Sequence, residues 1–361
     1  MQKSKYLNLA SLFTQIDNDI MKLKGKNYAR DDMTILDLNN FNDLICIDKN
    51  GFEGCKNLKT VFLPLKIERI LDYAFNKCGI TDLIFNNLTN LFKIGESAFA
   101  NNKFKRLDLS NCTKLKTIED NVFFNNEIII LKLPYSILKI GDSAFEENKI
   151  EELDLSNCIN LKLIGDRVFL NNEIKKIKLP LSILKIGDFA FEKNKIEELD
   201  LSNCINLKLI GDRVFLNNEI KKLKLPESIL KIGDSAFKDN KIEELDLSNC
   251  INLKLIGDSV FLNNEIKKLK LPVSILKIGD FAFEENKIEE LDLSNYTNLK
   301  LIDENAFIKN PLQKIKILGG INVIYDSYFS NDLWNKFVDF YNINGKKAGD
   351  YKLINNQWQI V

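Results

Sequence analysis

Paired carboxylates return along this chain at a fixed interval: Glu152 and Asp154, Glu198 and Asp200, Glu244 and Asp246, Glu290 and Asp292. One such pair, held a few ångströms apart, is what glycoside hydrolysis needs, with one carboxyl as acid and the other as base or nucleophile. A catalytic pair is needed only once, whereas "EELDL" is written four times, so the repetition marks a surface pattern. Cysteine thiols are the other reactive groups, and Cys112, Cys158, Cys204 and Cys250 recur every 46 residues. Nothing stands ready to activate them. The chain contains no histidine, which removes Ser-His-Asp and Cys-His arrangements and the commonest transition-metal ligand. Phosphate-cradling loops of the form Gly-x-x-x-x-Gly-Lys-Ser/Thr or Gly-x-Gly-x-x-Gly are absent from the sequence as well. These residues predict a protein that is not an enzyme, with no catalytic, cofactor or metal site.

The elements that carry the carboxylates follow from internal repetition. Leu138 to Ile183 returns as Leu184 to Ile229 with four changes, a period of 46 residues. Phe145, Phe169, Phe191, Phe215, Phe237, Phe261, Phe283 and Phe307 divide that period into alternating steps of 24 and 22. Phe52, Phe75, Phe99 and Phe123 extend the series backwards and Phe329 extends it forwards, so the unit is one coil of about 23 residues. Within a coil, "IEELDLS" alternates apolar and polar residues, the signature of a short strand with one buried face. A turn follows, "SNCIN" in the longer coil and "P-x-S" in the shorter, then a second apolar piece, "LKLIG" or "ILKIG". The "D-x-V/A-F-x-x-N" stretch closes the coil: Asp caps a turn, Phe fills the interior and Asn bonds backbone groups at the bend. One coil cannot bury its own Leu, Ile and Phe. Stacking can, with parallel strands roughly 4.8 Å apart and one Phe per layer. The expected fold is a repeat solenoid with a parallel β-sheet on one face and short strands and turns on the other.

"LDLSNCINLKLIGDRVF" and "LKLPESILKIGDSAF" resemble the leucine-rich repeats of the BspA-like family over about residues 45 to 330. One departure is visible. The Cys that often follows the family's Phe by three residues survives only as Cys55 and Cys78, and Asn102, Asn126, Asn148, Asn172 and their equivalents replace it elsewhere. The resemblance implies a non-enzymatic protein-binding scaffold, with cell-surface attachment to host or matrix proteins as the family's role.

The strand residues beside the inward leucines face solvent. They alternate in sign: Glu152 and Asp154, Lys176 and Lys178, Glu198 and Asp200, Lys222 and Lys224, Glu244 and Asp246, Lys268 and Lys270. Stacking should place each carboxylate between two ammonium groups, a charge ladder that fixes register because a slip of one coil sets like charge on like. Its alternative use is to dock a complementary repetitive surface; pairing with a second copy of the chain is the minor reading. Two turn positions escape the repeat. Tyr135, Leu181 and Val273 alternate with Glu227 in the P-x-S turn, and Phe189 and Phe281 alternate with Ser143 and Ser235 after Gly-Asp. Because polar residues are tolerated there, these five are expected to be exposed, as surface drift or as contacts for a protein partner.

Cys112, Cys158, Cys204 and Cys250 lie two coils apart, about 10 Å by strand spacing, too far to bridge. They read as small buried turn fillers, and Cys55 and Cys78, in adjacent coils, as near neighbours. Lys+Arg and Asp+Glu both number 51, and 45% of residues are apolar. The chain should therefore fold, without a net field for nucleic acid or an anionic membrane. No run of 18 apolar residues argues for membrane insertion. The start lacks the apolar core and cleavage site of a signal peptide, which favours a cytoplasmic interaction module or structural spacer where the family resemblance favours the surface. Caps are expected at both ends: a helical segment within residues 1 to 40, repeats over 41 to 330, and a helix plus short hairpin over 331 to 361.

Overall fold

The computed structural model describes residues 33–83 and 87–361 in full and the backbone of 13–16, 20–23 and 84. Contacts group the chain into two compact units, residues 1–183 and 184–361. Both are stacks of three-sided coils. In the second unit the front side carries the strands Glu198–Asp200, Lys222–Lys224, Glu244–Asp246, Lys268–Lys270, Glu290–Asp292 and Lys314–Ile317, and the back side the two-residue strands Lys185–Ile186 through Leu301–Ile302. The first unit repeats this plan from Ile35–Asp37 to Lys176–Lys178. The paired sheet thus begins at Ile35, ahead of the expected boundary at 41.

Period-2 alternation explains the front strands: Leu199 and Leu201 are 1% exposed while Glu198 and Asp200 face water. The third side carries the Phe of each coil. Rings of Phe52, Phe75, Phe99, Phe123, Phe145 and Phe169 stack in the first unit with centroids 5.2 to 5.7 Å apart. In the second, Phe191, Phe215, Phe237, Phe261, Phe283 and Phe307 stack at 5.1 to 5.5 Å. Phe329 does not continue this column. It lies in the 3-10 turn Ser327–Phe329, and Trp334 of the helix Leu333–Ile343 covers Phe307 instead, at 4.9 Å.

From Phe99 to Phe307 a buried Asn stands three residues after each Phe of the column and ties coils together. Asn240 donates to the carbonyls of Phe215 (2.9 Å), Phe237 (3.1 Å) and Lys238 (3.2 Å), and accepts the N–H of Ile220 (3.0 Å). Two residues per coil adopt left-handed backbone on this side, Ser235 (φ 56°) and Asp239 (φ 55°) for example. Such a conformation is costly for a residue with a side chain, and the fold accepts it because Ser235 N–H and Asp239 N–H then reach Asp258 O and Leu262 O, both at 2.9 Å.

The Asp after each Gly does not cap its own turn. Its carboxylate reaches the next coil, where Asp212 Oδ1 accepts Asp234 N–H and Asp234 Oδ1 accepts Asp258 N–H, both at 3.0 Å. At Gly95, Gly141, Gly165, Gly211, Gly233, Gly257 and Gly279 a Cβ would strike the aspartate carboxylate of the coil before it. The series stops at Asp303, which stands in a glycine position. Asp280 Oδ1 is left buried without a hydrogen bond, and burial, reinforced by the nearby Glu304 carboxylate, pushes the Asp280 carboxyl up.

The front sheet is not continuous. It is cut into ribbons, and from Arg106 onward these are the pairs Arg106–Asp108 with Ile130–Lys132, Glu152–Asp154 with Lys176–Lys178, Glu198–Asp200 with Lys222–Lys224, Glu244–Asp246 with Lys268–Lys270, and Glu290–Asp292 with Lys314–Ile317. From Arg106 onward, ladders form across the 24-residue step and not across the 22-residue step within each unit, where Lys149 N–H to Ile128 O and Lys241 N–H to Ile220 O are the last backbone bonds before the strands part. Nearer the start the pattern is reversed: Thr60–Phe62 is laddered to Asp82–Ile84 across 22 residues, and Asp82–Ile84 is parted from Arg106–Asp108 across 24. At each of these later gaps the connection is shorter by two residues and carries a proline (Pro134, Pro226, Pro272) with no N–H to extend a ladder, yet the two features do not suffice, since the same step with Pro64 keeps Thr60–Phe62 laddered to Asp82–Ile84. At two junctions the back sheet is interrupted too, between Lys93–Ile94 and Thr117–Ile118 and between Lys231–Ile232 and Leu255–Ile256. There the third side holds the coils together, through Phe99 N–H to Val122 O (3.0 Å) and Phe237 N–H to Val260 O (2.9 Å).

The ends differ from one another. The helix expected in the first 40 residues is replaced, where the chain is described, by an antiparallel hairpin of Phe13–Ile16 and Ile20–Leu23, whose second strand pairs in parallel with Leu44–Ile47. Apolar spacing there suits either structure, and Asp17-Asn18-Asp19 is turn chemistry that favours a hairpin. The remainder of that segment lies outside the described residues. At the other end Asp332 caps the helix Leu333–Ile343 by accepting Trp334 N–H, and the hairpin Gly349–Ile354/Gln357–Ile360 pairs antiparallel with Lys314–Ile317.

Candidate functional site

Front-face charges pair within ribbons. In the first unit Lys176 meets Glu152 and Lys178 meets Asp154, both at 3.5 Å. In the second, Lys222 meets Glu198 at 2.7 Å, Lys224 meets Asp200 at 3.3 Å, Lys268 meets Glu244 at 2.6 Å and Lys270 meets Asp246 at 3.0 Å. Each carboxylate therefore has one ammonium partner rather than two, because the broken ladder holds the next basic strand away. Lys316 turns to Asp350 of the C-terminal hairpin, 3.8 Å away. All these side chains are exposed, so each pair contributes little.

The aspartates of the row have a second task. Asp200 Oδ1 accepts both the N–H and the hydroxyl of Ser202, closing the turn that leaves the strand. The Ser202 hydroxyl is the main cause that holds the Asp200 carboxyl below its usual range, opposed by burial and aided by Lys224; Asp154 and Asp246 behave alike with Ser156 and Ser248.

The corner between front and back strands carries the exposed apolar groups. Tyr135, Ile159 and Leu181 occupy it in three successive coils of the first unit, 54%, 65% and 57% exposed. The second unit has Ile205, Glu227, Ile251 and Val273 at the same corner, and Val273 is 59% exposed. Ile159, Ile205 and Ile251 were not among the sequence candidates. Thr113 and Thr297 at the equivalent position were the available signal, since a polar residue tolerated there means exposure. Phe189 and Phe281 depart from expectation. They are half-buried, with φ of 60° and 53°, and the left-handed corner turns Phe189 along the stack, where the Arg213 guanidinium lies 5.4 Å from its ring.

All seven cysteines are buried. Cys78 donates to Phe52 O at 3.1 Å, the place that Asn takes in other coils. Its hydrogen bond with Cys55, followed by burial, pushes the Cys78 thiol up. Burial and then the Asp108 carboxylate push Cys112 up to about 12, and Cys158, Cys204 and Cys250 rise to about 11 for the same two reasons, with Asp154, Asp200 and Asp246 as neighbours. These thiols are fillers, not nucleophiles. Among the described residues no group of three His, Cys, Asp or Glu could hold a metal, and no helix is long and apolar enough to cross a membrane.

Several solved structures align with this chain. A leucine-rich repeat protein from Bacteroides ovatus aligns at 17% identity over 85% of this chain and 97% of its own, with a TM-score of 0.40. One from Eubacterium ventriosum aligns at 14% over 98% of both chains, TM-score 0.39. A leucine rich cell surface protein from Faecalibacterium prausnitzii aligns at 15% over 80% of this chain and 92% of its own, TM-score 0.34. No curated protein matches the chain. The family described as "BspA type Leucine rich repeat region (6 copies)" matches over residues 26–151, 92–217, 138–261 and 208–336. With its ladder of buried Asn, its stacked Phe and a family match running from residue 26 to 336, the chain belongs to the BspA-type leucine-rich repeat family.

Proposed function

We propose that this chain is a non-enzymatic protein-binding scaffold that engages its partner along the coil corner. The observation that carries this is the row Tyr135, Ile159 and Leu181, three large apolar side chains more than half exposed on successive coils. Spacing of about 5 Å between coils makes them one strip, and contiguous exposed apolar surface marks interaction sites. The neutralised front charges serve register. The family resemblance supports the finer reading, attachment to host or matrix proteins at the cell surface.

Two experiments test this. Tyr135→Ser, Ile159→Ser and Leu181→Ser together should leave the circular dichroism spectrum unchanged and remove a protein that co-purifies with the unaltered chain from source cells; retention of that protein by the triple variant sinks the corner. Protease treatment of intact cells, with a cytosolic control and a lysed sample, tests location. Loss of the chain from intact cells with the control spared supports attachment, and survival of both rejects it.

A further inference from the structure

The charge pattern of the front face fails at one ribbon. Where later coils read "IEELDL" and "IKKLKL", this ribbon reads "FKRLDL" (Phe104 to Leu109) and "IIILKL" (Ile128 to Leu133). Lys132 keeps its partner Asp108 at 3.6 Å. Arg106, however, faces Ile130 across the ladder, and Lys105 O takes the N–H of Ile129 at the position where Glu151 and Lys175 pair in the next ribbon. Two cations thus meet isoleucines instead of acids. Neither they nor Lys103 makes an ion pair or a side-chain hydrogen bond among the described residues. Ile129 and Ile130 are left 39% and 40% exposed.

A cleft lies on each side of this ribbon. The one before it, about 540 Å³, is lined by Thr60, Thr81, Asp82, Lys103, Lys105 and Arg106 among others, three cations and two hydroxyls against one acid. The one after it, about 600 Å³, is lined by Ile129, Ile130, Leu131 and Leu133, and by acids already held by lysines. Both volumes fall in the range of ligand sites. Along both clefts the strand edges are unpaired, since Asp82–Ile84 is not laddered to Arg106–Asp108, nor Ile130–Lys132 to Glu152–Asp154. Free backbone edges beside cations and apolar side chains suit an extended chain that brings its own N–H and C=O groups.

We infer that this ribbon binds an extended acidic peptide segment, its carboxylates on Lys103, Lys105 and Arg106 and an adjacent apolar side chain on Ile129 and Ile130. This rests on the protein-binding reading above but uses other residues. An anionic polysaccharide would use the cations and leave the isoleucines idle, so the exposed pair favours a peptide.

The probe is a fluorescein-labelled octapeptide library with two adjacent Glu beside Leu, Ile or Phe at varied positions, matched by the same peptides with Lys for Glu, and measured by polarisation on the full chain. Members of the acidic set should saturate, weaken as salt rises, and lose at least tenfold in affinity on Lys105→Glu with Arg106→Glu and again on Ile129→Ser with Ile130→Ser. Tyr135→Ser, Ile159→Ser and Leu181→Ser should leave peptide binding intact, which separates this site from the corner. All exchanged side chains are on the surface, and circular dichroism verifies each variant's fold. The inference is overturned if no acidic peptide saturates, if the charge reversal leaves affinity unchanged, or if a sulfated polysaccharide binds through Lys105 and Arg106 with the isoleucine variants unaffected and peptides excluded.

Discussion

Replacing Asn240 by Ala tests what holds the coils together. Asn240 is 7% exposed and makes four hydrogen bonds, three donated and one accepted. The carbonyls of Phe215 and Phe237 keep a second donor, Asn218 at 3.2 Å and Asn264 at 2.9 Å, so they are not orphaned. Ile220 N–H has only Asn240 Oδ1 as its partner and is fully buried. An orphaned buried donor costs about 1 to 3 kcal/mol, and each lost hydrogen bond with a surviving alternative about 0.5 to 1. The sum is a loss of about 2.5 to 6 kcal/mol, against less than about 1 for Lys270→Ala on the exposed ladder. Urea unfolding compares the two, and hydrogen exchange locates the effect in the coils that contain Phe215 to Phe261. Asn240→Cys should fall between, because Cys78 shows a thiol donating from that place. A loss below about 1 kcal/mol for Asn240→Ala, or one no larger than that of Lys270→Ala, would refute the assignment of the stack's cohesion to the Asn column.

Glycines differ in what an added methyl would meet. At Gly233 a Cβ would overlap Asp212 Oδ1 and the Gly211 backbone, whereas at Gly257 it meets Asp234 Oδ1 at 2.5 Å and nothing else nearer than 3.5 Å. Gly233→Ala should cost about 3 kcal/mol and Gly257→Ala about 1, read as a difference in urea midpoint; equal midpoints would contradict the crowding. The raised thiols predict that iodoacetamide at pH 8 labels Cys158, Cys204 and Cys250 only after denaturation, and mass spectrometry of the folded protein should find them unmodified. Acid acts in a fixed direction. The carboxyls of Asp154, Asp200 and Asp246 are lower in the folded chain than in the unfolded one, so their contribution is complete above about pH 4 and is lost as pH falls through their depressed values. Ser202→Ala should blunt that loss on a urea midpoint profile from pH 5 to 2, and an unchanged profile would remove Ser202 as its source.

The coil was legible because three signals coincide in each period: alternation around Leu199 and Leu201, a Phe at 22 or 24 residues, and an Asn three residues later. Signs of the charge rows were equally plain, but their pairing was not. Whether Lys224 reaches one acid or two depends on where backbone ladders break, and the charged residues do not encode that. Exposure of Phe189 was misjudged for a related reason: Ser143 and Ser235 tolerate that corner because of its left-handed backbone, which also turns the side chain along the stack. Residues 13–23 carry apolar spacing that suits helix and strand alike, and the pairing partner Leu44–Ile47 decides between them. The irregular ribbon was available by comparing "FKRLDL" with "IEELDL". Near-identical coils mask such a departure, because the repeat pattern is defined by what the coils share.

The two junctions where front and back sheets are both interrupted give the stack a mechanical character. At Phe99–Phe123 and Phe237–Phe261 backbone bonding between coils is concentrated on one edge, the one that holds the Phe and Asn columns. Such an arrangement resists sliding and twisting about that edge yet offers little stiffness against opening away from it, as a door is stiff except about its pin. Tension along the stack would yield there first, releasing blocks of coils rather than single ones. At the first of these pins lies the cation-lined cleft of about 540 Å³. A ligand wedged into it and a pull along the chain would then work on the same degree of freedom, each altering the hold of the other.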